Sequence, residues 1–276
     1  MGIMRYKGVY KAVRKDGSTY YRVSISRSGK HVSLGSFDRV REASAAYREA
    51  ERLYTDSDIG LLNWKDHISH LHQDKVITIL NHRDNSMYIG TPIYLRGRFF
   101  SYFLKGVGEL KFDNDDLFYY SSHRILCHDG HLYVNDYGMQ YGILARYGIK
   151  NFAVAGKDYV FANGDELDYR YSNIKVINKY HGVTAVSDHD IIRHEASIII
   201  NGAFKLGRYE TDALAAVAYN KAVDAAVSAG VAKNFIQNYV VEFTPKEYAR
   251  VYTDIELPEK YLLYLKDKYI KTIHSV

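Results

Sequence analysis

Three sets of side chains in this sequence have types and spacings that could do chemistry. Imidazoles gather at His67, His70 and His72, and again at His123, His128 and His131. Imidazole ligates zinc and takes a proton near neutral pH. Carboxylates gather at Asp158, Asp165, Glu166 and Asp168, the type that holds a hard divalent cation. Guanidinium and ammonium groups crowd the first 54 residues, where they could grip phosphate and base edges. The first histidine trio has no matching Cys or His pair at ligand spacing, and the single cysteine, Cys127, excludes an all-cysteine zinc site and an internal disulfide framework. The other histidines and the four carboxylates read as ordinary surface residues. No metal, no cofactor and no catalytic residue is therefore expected.

The basic set is different. The chain of 276 residues has a net charge of +5, but residues 1–54 alone carry twelve Lys and Arg against five Asp and Glu. The remaining segments are close to neutral: 55–179 is −1, 180–232 is −2 and 233–276 is +1. A compact basic segment attracts a polyanion, and double-stranded DNA is the expected one. Hydrophobic residues at 47% and charged residues at 25% are near globular values, so disorder along the whole length is excluded. No run of 18 apolar residues occurs, so no membrane partner is expected. The opening MGIMRYKGVYKAVRKDG lacks an apolar stretch followed by a cleavage site. The expected compartment is the bacterial cytoplasm, in association with the nucleoid.

The elements that must position these groups come in two copies. YKGV (Tyr6 to Val9) precedes SLGSFDRVREASAAYREA (Ser33 to Ala50), and YHGV (Tyr180 to Val183) precedes KLGRYETDALAAVAYNKA (Lys205 to Ala222). Leu34 pairs with Leu206, Gly35 with Gly207, Phe37 with Tyr209, Tyr47 with Tyr219 and Ala50 with Ala222, all in order at one offset. Each copy predicts three strands and a helix. In STYYRVSIS, Tyr21, Val23 and Ile25 face one way and Tyr20, Arg22, Ser24 and Ser26 the other, a half-buried antiparallel strand. Arg27 to Lys30 makes a turn, and Asp38 is the expected cap of a helix that buries Val40, Ala43, Ala46, Tyr47 and Ala50. In the second copy Asn201-Gly202 predicts a tight hairpin.

The order YxGV, strand pair, LGxF/Y and AxxAY helix resembles the Apetala-two/ethylene-response-factor DNA-binding domain over about 50 residues at each end. The resemblance implies a three-stranded sheet laid in the major groove with the helix behind it. On the sheet's outer face the first copy is expected to present Arg5, Lys7, Tyr10, Lys11, Arg14, Arg22, Ser24, Ser26, Arg27 and His31. Arginine can bond guanine bidentately there, while lysines and hydroxyls hold phosphate. The second copy offers Glu195, Ser197, Ile199 and Lys205 outward, with Arg193, His194 and Arg208 near enough for phosphate. The alternative for either copy is a module that binds protein.

Between the copies, IGLLNW, HISHLH and KVITIL predict a partly exposed amphipathic helical connector over 55–90, and SHRILCHDGHLYV predicts a hairpin about Asp129-Gly130. The segment KDYVFANGDELDYRYSNIKVIN (Lys157 to Asn178) resembles the HNH homing-endonuclease core. Asn163-Gly164, Arg170, Asn173 and Ile174 match its pattern, while Asp168 and Tyr169 stand where Asn-Asn would be. Its paired histidines, which would ligate metal and activate water, are here Val160 and Phe161, and neither side chain can do so. The resemblance implies a nuclease scaffold without its chemistry.

The expected architecture is α+β: 1–54 and 180–239 are small three-stranded-sheet-plus-helix DNA-binding modules flanking a degenerate HNH-like ββα domain at 91–179. Helices close the chain over 240–276, within Pro245 to Val251 and Pro258 to Ile270. The expected function is a sequence-specific DNA-binding regulator, a repressor, descended from a homing endonuclease of a phage or mobile element. Its rivals are an active homing endonuclease with non-standard ligands, and an assembly protein that forms homo-oligomers through the second copy or the C-terminal helices.

Overall fold

Alternation of apolar and polar residues builds the first sheet as the sequence requires. The computed structural model describes residues 6–151, 153–188 and 191–270, so Arg5 lies outside the described residues. Strands β1 (Val9–Val13), β2 (Thr19–Arg27) and β3 (Lys30–Phe37) pair antiparallel in that order. Ser28 and Gly29 both take positive φ, 47° and 73°, the backbone that a tight two-residue hairpin needs. Helix α1 (Val40–Thr55) buries Ala43, Ala46, Tyr47, Ala50 and Leu53 against Val23, Ile25, Val32 and Leu34. Its small alanines allow close approach. Asp38 does not cap it: Arg39 holds the cap position without a side-chain bond, because the Asp38 carboxylate accepts from Arg14 at 2.7 Å instead.

Residues 55–90 correct the expectation of an exposed helical connector. Only Gln73–Asn85 (α2) is an α-helix, with a single 3-10 turn at Trp64–Asp66, and HISHLH is irregular. Helix α2 is not amphipathic in the expected sense, since every residue from Val76 to His82 is buried. Val76, Ile79 and Leu80 join the core of the first sheet and α1, together with Ile59, Ile68 and Leu71.

The chain divides into two compact units, Met1–Ile143 with Asp165–Asn173, and Leu144–Gly164 with Ile174–Val276. In the first, β4 (Ile93–Leu95), β5 (Phe99–Leu104) and β6 (Gly108–Asp113) form a second antiparallel sheet, whose Phe100, Tyr102 and Phe112 pack on Tyr120 of α3 (Leu117–Ser122). A third sheet contains β7 (Ile125–His128), β8 (His131–Asp136) and β9 (Met139–Gly142), with the expected turn at Asp129-Gly130. Leu167 and Tyr169 bond Lys111 of β6 through the backbone, which ties 165–173 into the unit.

In the second unit β10 (Tyr159–Phe161) pairs with β11 (Ile174–Val176). The expected ββα is not formed, because no helix follows β11. The chain enters the second repeat instead, with β12 (Val183–Asp188), β13 (Ile191–Ile199), β14 (Ala203–Tyr209) and α4 (Asp212–Ser228). Helices α5 (Pro245–Asp254) and α6 (Glu259–Leu265), the latter running into a π turn to Ile270, add Ile255, Tyr261 and Leu265 to the α4 core.

The two repeats agree at atomic detail. Ser24 N–H donates to the Gly8 carbonyl at 3.0 Å, and Ser197 N–H to the Gly182 carbonyl at 2.7 Å. A Cβ on Gly8 would stand 2.2 Å from the Tyr47 ring, and one on Gly182 would stand 2.1 Å from Tyr219. Both glycines have positive φ, 68° and 69°. Each sheet also carries one bulge, at Val23/Ser24 and at Ala196/Ser197, opposite the LG of its LGxF/Y motif. The YxGV glycine is thus fixed by backbone conformation and by the tyrosine that covers it.

Candidate nucleic-acid interface

Antiparallel partners share a face, so the register settles which side each residue of the first sheet occupies. Tyr10, Arg22 and Ser36 form one row across the outer face, Ser24 and Ser33 a second, Ser26 and His31 a third, and Ala12 and Tyr20 a fourth. Arg14 extends this face past the end of β1, with its guanidinium 5.0 Å from the Tyr20 ring centre and bonded to Asp38. Arg22 is exposed and centrally placed, and among the described residues it bonds no side chain. Ser33, Ser36 and Tyr20 belong to the surface although a search for cations passes them over. Their signal was in the sequence, as the alternation of β3 against β2.

Three expected members lie elsewhere. Lys7 bonds Glu51 of α1 at 2.6 Å and stands over the Tyr47 ring, so it faces the helix side, and Glu51 raises the pKa of its ammonium. Arg27 lies over the Tyr54 ring of α1. Lys11 shares a row with Tyr21 and Phe37, both packed against the α1 core, and reaches water at the sheet's edge. The alternation that puts Tyr10 and Arg22 outside puts Lys11 on the opposite side.

The second sheet inverts this electrostatic pattern. Its row equivalent to Tyr10, Arg22 and Ser36 is Thr184, Glu195 and Arg208. Glu195 accepts from Lys205 at 3.1 Å and Arg208 at 3.2 Å. Burial acts to raise the Glu195 pKa, but the two cations hold it below the ordinary glutamate range. Arg193 bonds Glu210 at 3.2 Å. The cations of this face are therefore spent on its own carboxylates.

The HNH-like segment holds itself together with the residues that match the pattern. Arg170 clasps Asp168 through two bonds, at 2.8 and 2.5 Å, and lies over the Phe99 ring. Asn173 donates to the carbonyls of Asp165 and Asp168. Asp165 bonds Lys111 at 2.8 Å, which lowers its pKa, and Asp158 bonds Lys150 at 2.8 Å. Burial would raise Asp158, yet Lys150 and the Val154 N–H keep it low. Val160 and Phe161 form part of β10. His123 faces Asp136 and His70 bonds Glu49. Among the described residues no three His, Cys, Asp or Glu side chains gather as a metal site requires, and no helix is long and apolar enough to cross a membrane. No family model, no curated protein and no solved structure matches the chain.

Proposed function

We propose that this protein is a sequence-specific double-stranded-DNA-binding regulator that reads the major groove with the outer face of its first sheet and represses transcription. The observation that carries this reading is Arg22, an exposed guanidinium that bonds no side chain among the described residues and stands at the centre of a face made largely of hydroxyls, Tyr10, His31 and Arg14. A two- or three-stranded ribbon fits the major groove, where an arginine fork can take both acceptors of guanine. Serines on either side suit phosphate and sugar. Lys11 and Arg27 add positive potential around the rim and steer the duplex rather than read it, while Lys7 is held by Glu51.

The likeness of residues 157–178 to a nuclease core supports descent from a homing endonuclease. Val160 and Phe161, and carboxylates already bonded to Lys150, Lys111 and Arg170, support a protein that binds without cutting. The test is recovery of bound sites from genomic DNA, followed by incubation of those sites with the full chain in magnesium and in manganese. Specific retention without nicks is the expected result. Stoichiometric metal-dependent cleavage, lost in Asp158→Asn or Asp165→Asn, would overturn the reading.

A further inference from the structure

An open cavity of about 590 Å³ lies within the second unit, between the start of β12, the segment around Lys150 to Asp158 and the extended chain after Lys233. Its size falls in the range of small-molecule sites. Three ammonium groups line it against one carboxylate. Lys150 is committed to that carboxylate, Asp158, at 2.8 Å, and to the Tyr180 carbonyl at 2.9 Å. Lys233 bonds an uncharged carbonyl, that of Ile199, at 2.8 Å, and no carboxylate among the described residues. Lys157 bonds no side chain among the described residues. Among the described residues the lining thus carries two more positive charges than negative ones. The Thr184 and Ser197 hydroxyls add donors, and Phe235, Ile236 and Val154 supply an apolar wall. His181 also lines it, and burial followed by Lys150 lowers its pKa.

From this arrangement we infer that the cavity binds a small phosphate monoester with an organic body, the phosphate between Lys157 and Lys233 and the body against Phe235 and Ile236. A phosphate monoester carries about −1.5 to −2 at pH 7, which matches that excess of two positive charges. A monocarboxylate would leave one of them unanswered. This site belongs to the unit whose sheet neutralises its own cations, and it stands independently of DNA reading by the first sheet.

The experiment is calorimetric titration of the full chain with adenosine monophosphate, inorganic phosphate and adenosine, for the wild type, Lys157→Gln and Lys233→Gln. Both lysines are exposed, so the thermal midpoint of each variant in the absence of ligand is expected to match the wild type. The monophosphate is expected to bind, inorganic phosphate to bind more weakly, and adenosine to give no saturable heat. Each substitution removes one charge-assisted bond and is expected to weaken the monophosphate about tenfold or more. Monophosphate affinity that is equal in all three proteins would overturn the inference, as would a wild type that binds neither phosphate compound. Adenosine binding as tightly as its monophosphate would overturn it too, by showing recognition of the organic body alone.

Discussion

At the scale of single residues, the contrast between Arg22 and Glu195 is the most informative. They occupy the same place in two copies of one sheet, one a cation that bonds no side chain among the described residues and the other an anion gripped by Lys205 and Arg208. If Arg22 reads a base edge, Arg22→Ala weakens specific binding by about 1–3 kcal/mol and leaves non-specific binding nearly intact. Arg22→Glu, which copies the second repeat, is expected to abolish specific retention. Lys11→Ala acts on phosphate attraction alone, so it weakens specific and non-specific binding alike and flattens the salt dependence. Filter binding across a salt series separates the two. Identical affinities for all three variants and the wild type would remove the outer face from the proposal. The sequence made Arg22 and Tyr10 legible because alternation is a property of the strand itself. Choosing by charge alone misplaced Lys11 and Arg27, which the same alternation puts on the side of Tyr21 and Ile25, and Lys7, which precedes β1 and is drawn to the helix by Glu51 and the Tyr47 ring.

At the scale of elements, two local devices hold the first module, and each makes a prediction. Glu49 on α1 accepts the backbone N–H groups of Ser69, His70 and Leu71 and also meets the His70 ring at 2.8 Å. Burial pushes its pKa upward, but these donors outweigh burial and leave it below the ordinary value. A depressed carboxylate contributes stability that is present above its unfolded pKa, about 4.3, and is lost as pH falls through the folded value. Glu49→Gln is therefore expected to lower stability at pH 7 and to make the acid branch of the stability profile shallower. Urea midpoints from neutral to acid pH check this, and parallel profiles for variant and wild type would contradict it. The second device is Gly8. Gly8→Ala adds a left-handed backbone penalty to an overlap with Tyr47, together about 2–5 kcal/mol. Gly17 also has positive φ, 84°, but its Cβ would meet nothing within 4 Å, so Gly17→Ala reports the backbone part alone. A Gly8→Ala loss no larger than that of Gly17→Ala would refute the packing argument. The YxGV repeat marks this glycine in the sequence itself. The nest around Glu49 was not legible, since it joins a helix to a loop about twenty residues away without any pattern in either. Residues 157–178 were legible in part: Arg170 and Asn173 bind their own loop, but nothing in the residues after Val176 forbade a helix there except the start of the next repeat.

At the scale of the whole molecule, the first 54 residues carry most of the positive charge but not a complete core. Leu53, Ala50 and Ala46 are buried in the same cluster as Ile59, Ile68, Leu71, Val76, Ile79 and Leu80. Cutting after residue 54 exposes that apolar surface and removes the loop that satisfies Glu49. Small domains bury a smaller fraction of their surface than large ones and tolerate little such loss. A fragment of residues 1–54 is therefore expected to lack a cooperative unfolding transition. It is also expected to bind a specific duplex at least about tenfold more weakly than the full chain at about 150 mM salt, where screening makes the comparison one of contacts. Its local charge of +7 still attracts DNA, so the residual binding should be steeply salt-dependent and nearly indifferent to sequence. Extending the fragment through β9, to residue 143, restores the cluster that the first sheet and α1 share with Ile59 to Leu80 and should recover the selectivity of the first sheet. Any affinity still missing from that longer fragment belongs to the second unit. The cations on that unit's sheet are spent on Glu195 and Glu210, so its contribution must come from a second simultaneous contact or from pairing two chains. Affinity of the 143-residue fragment that rises with its concentration, as dimerisation would require, assigns the pairing to the first unit. Full-chain affinity reached by the 54-residue fragment would show that the shared core has no part in recognition.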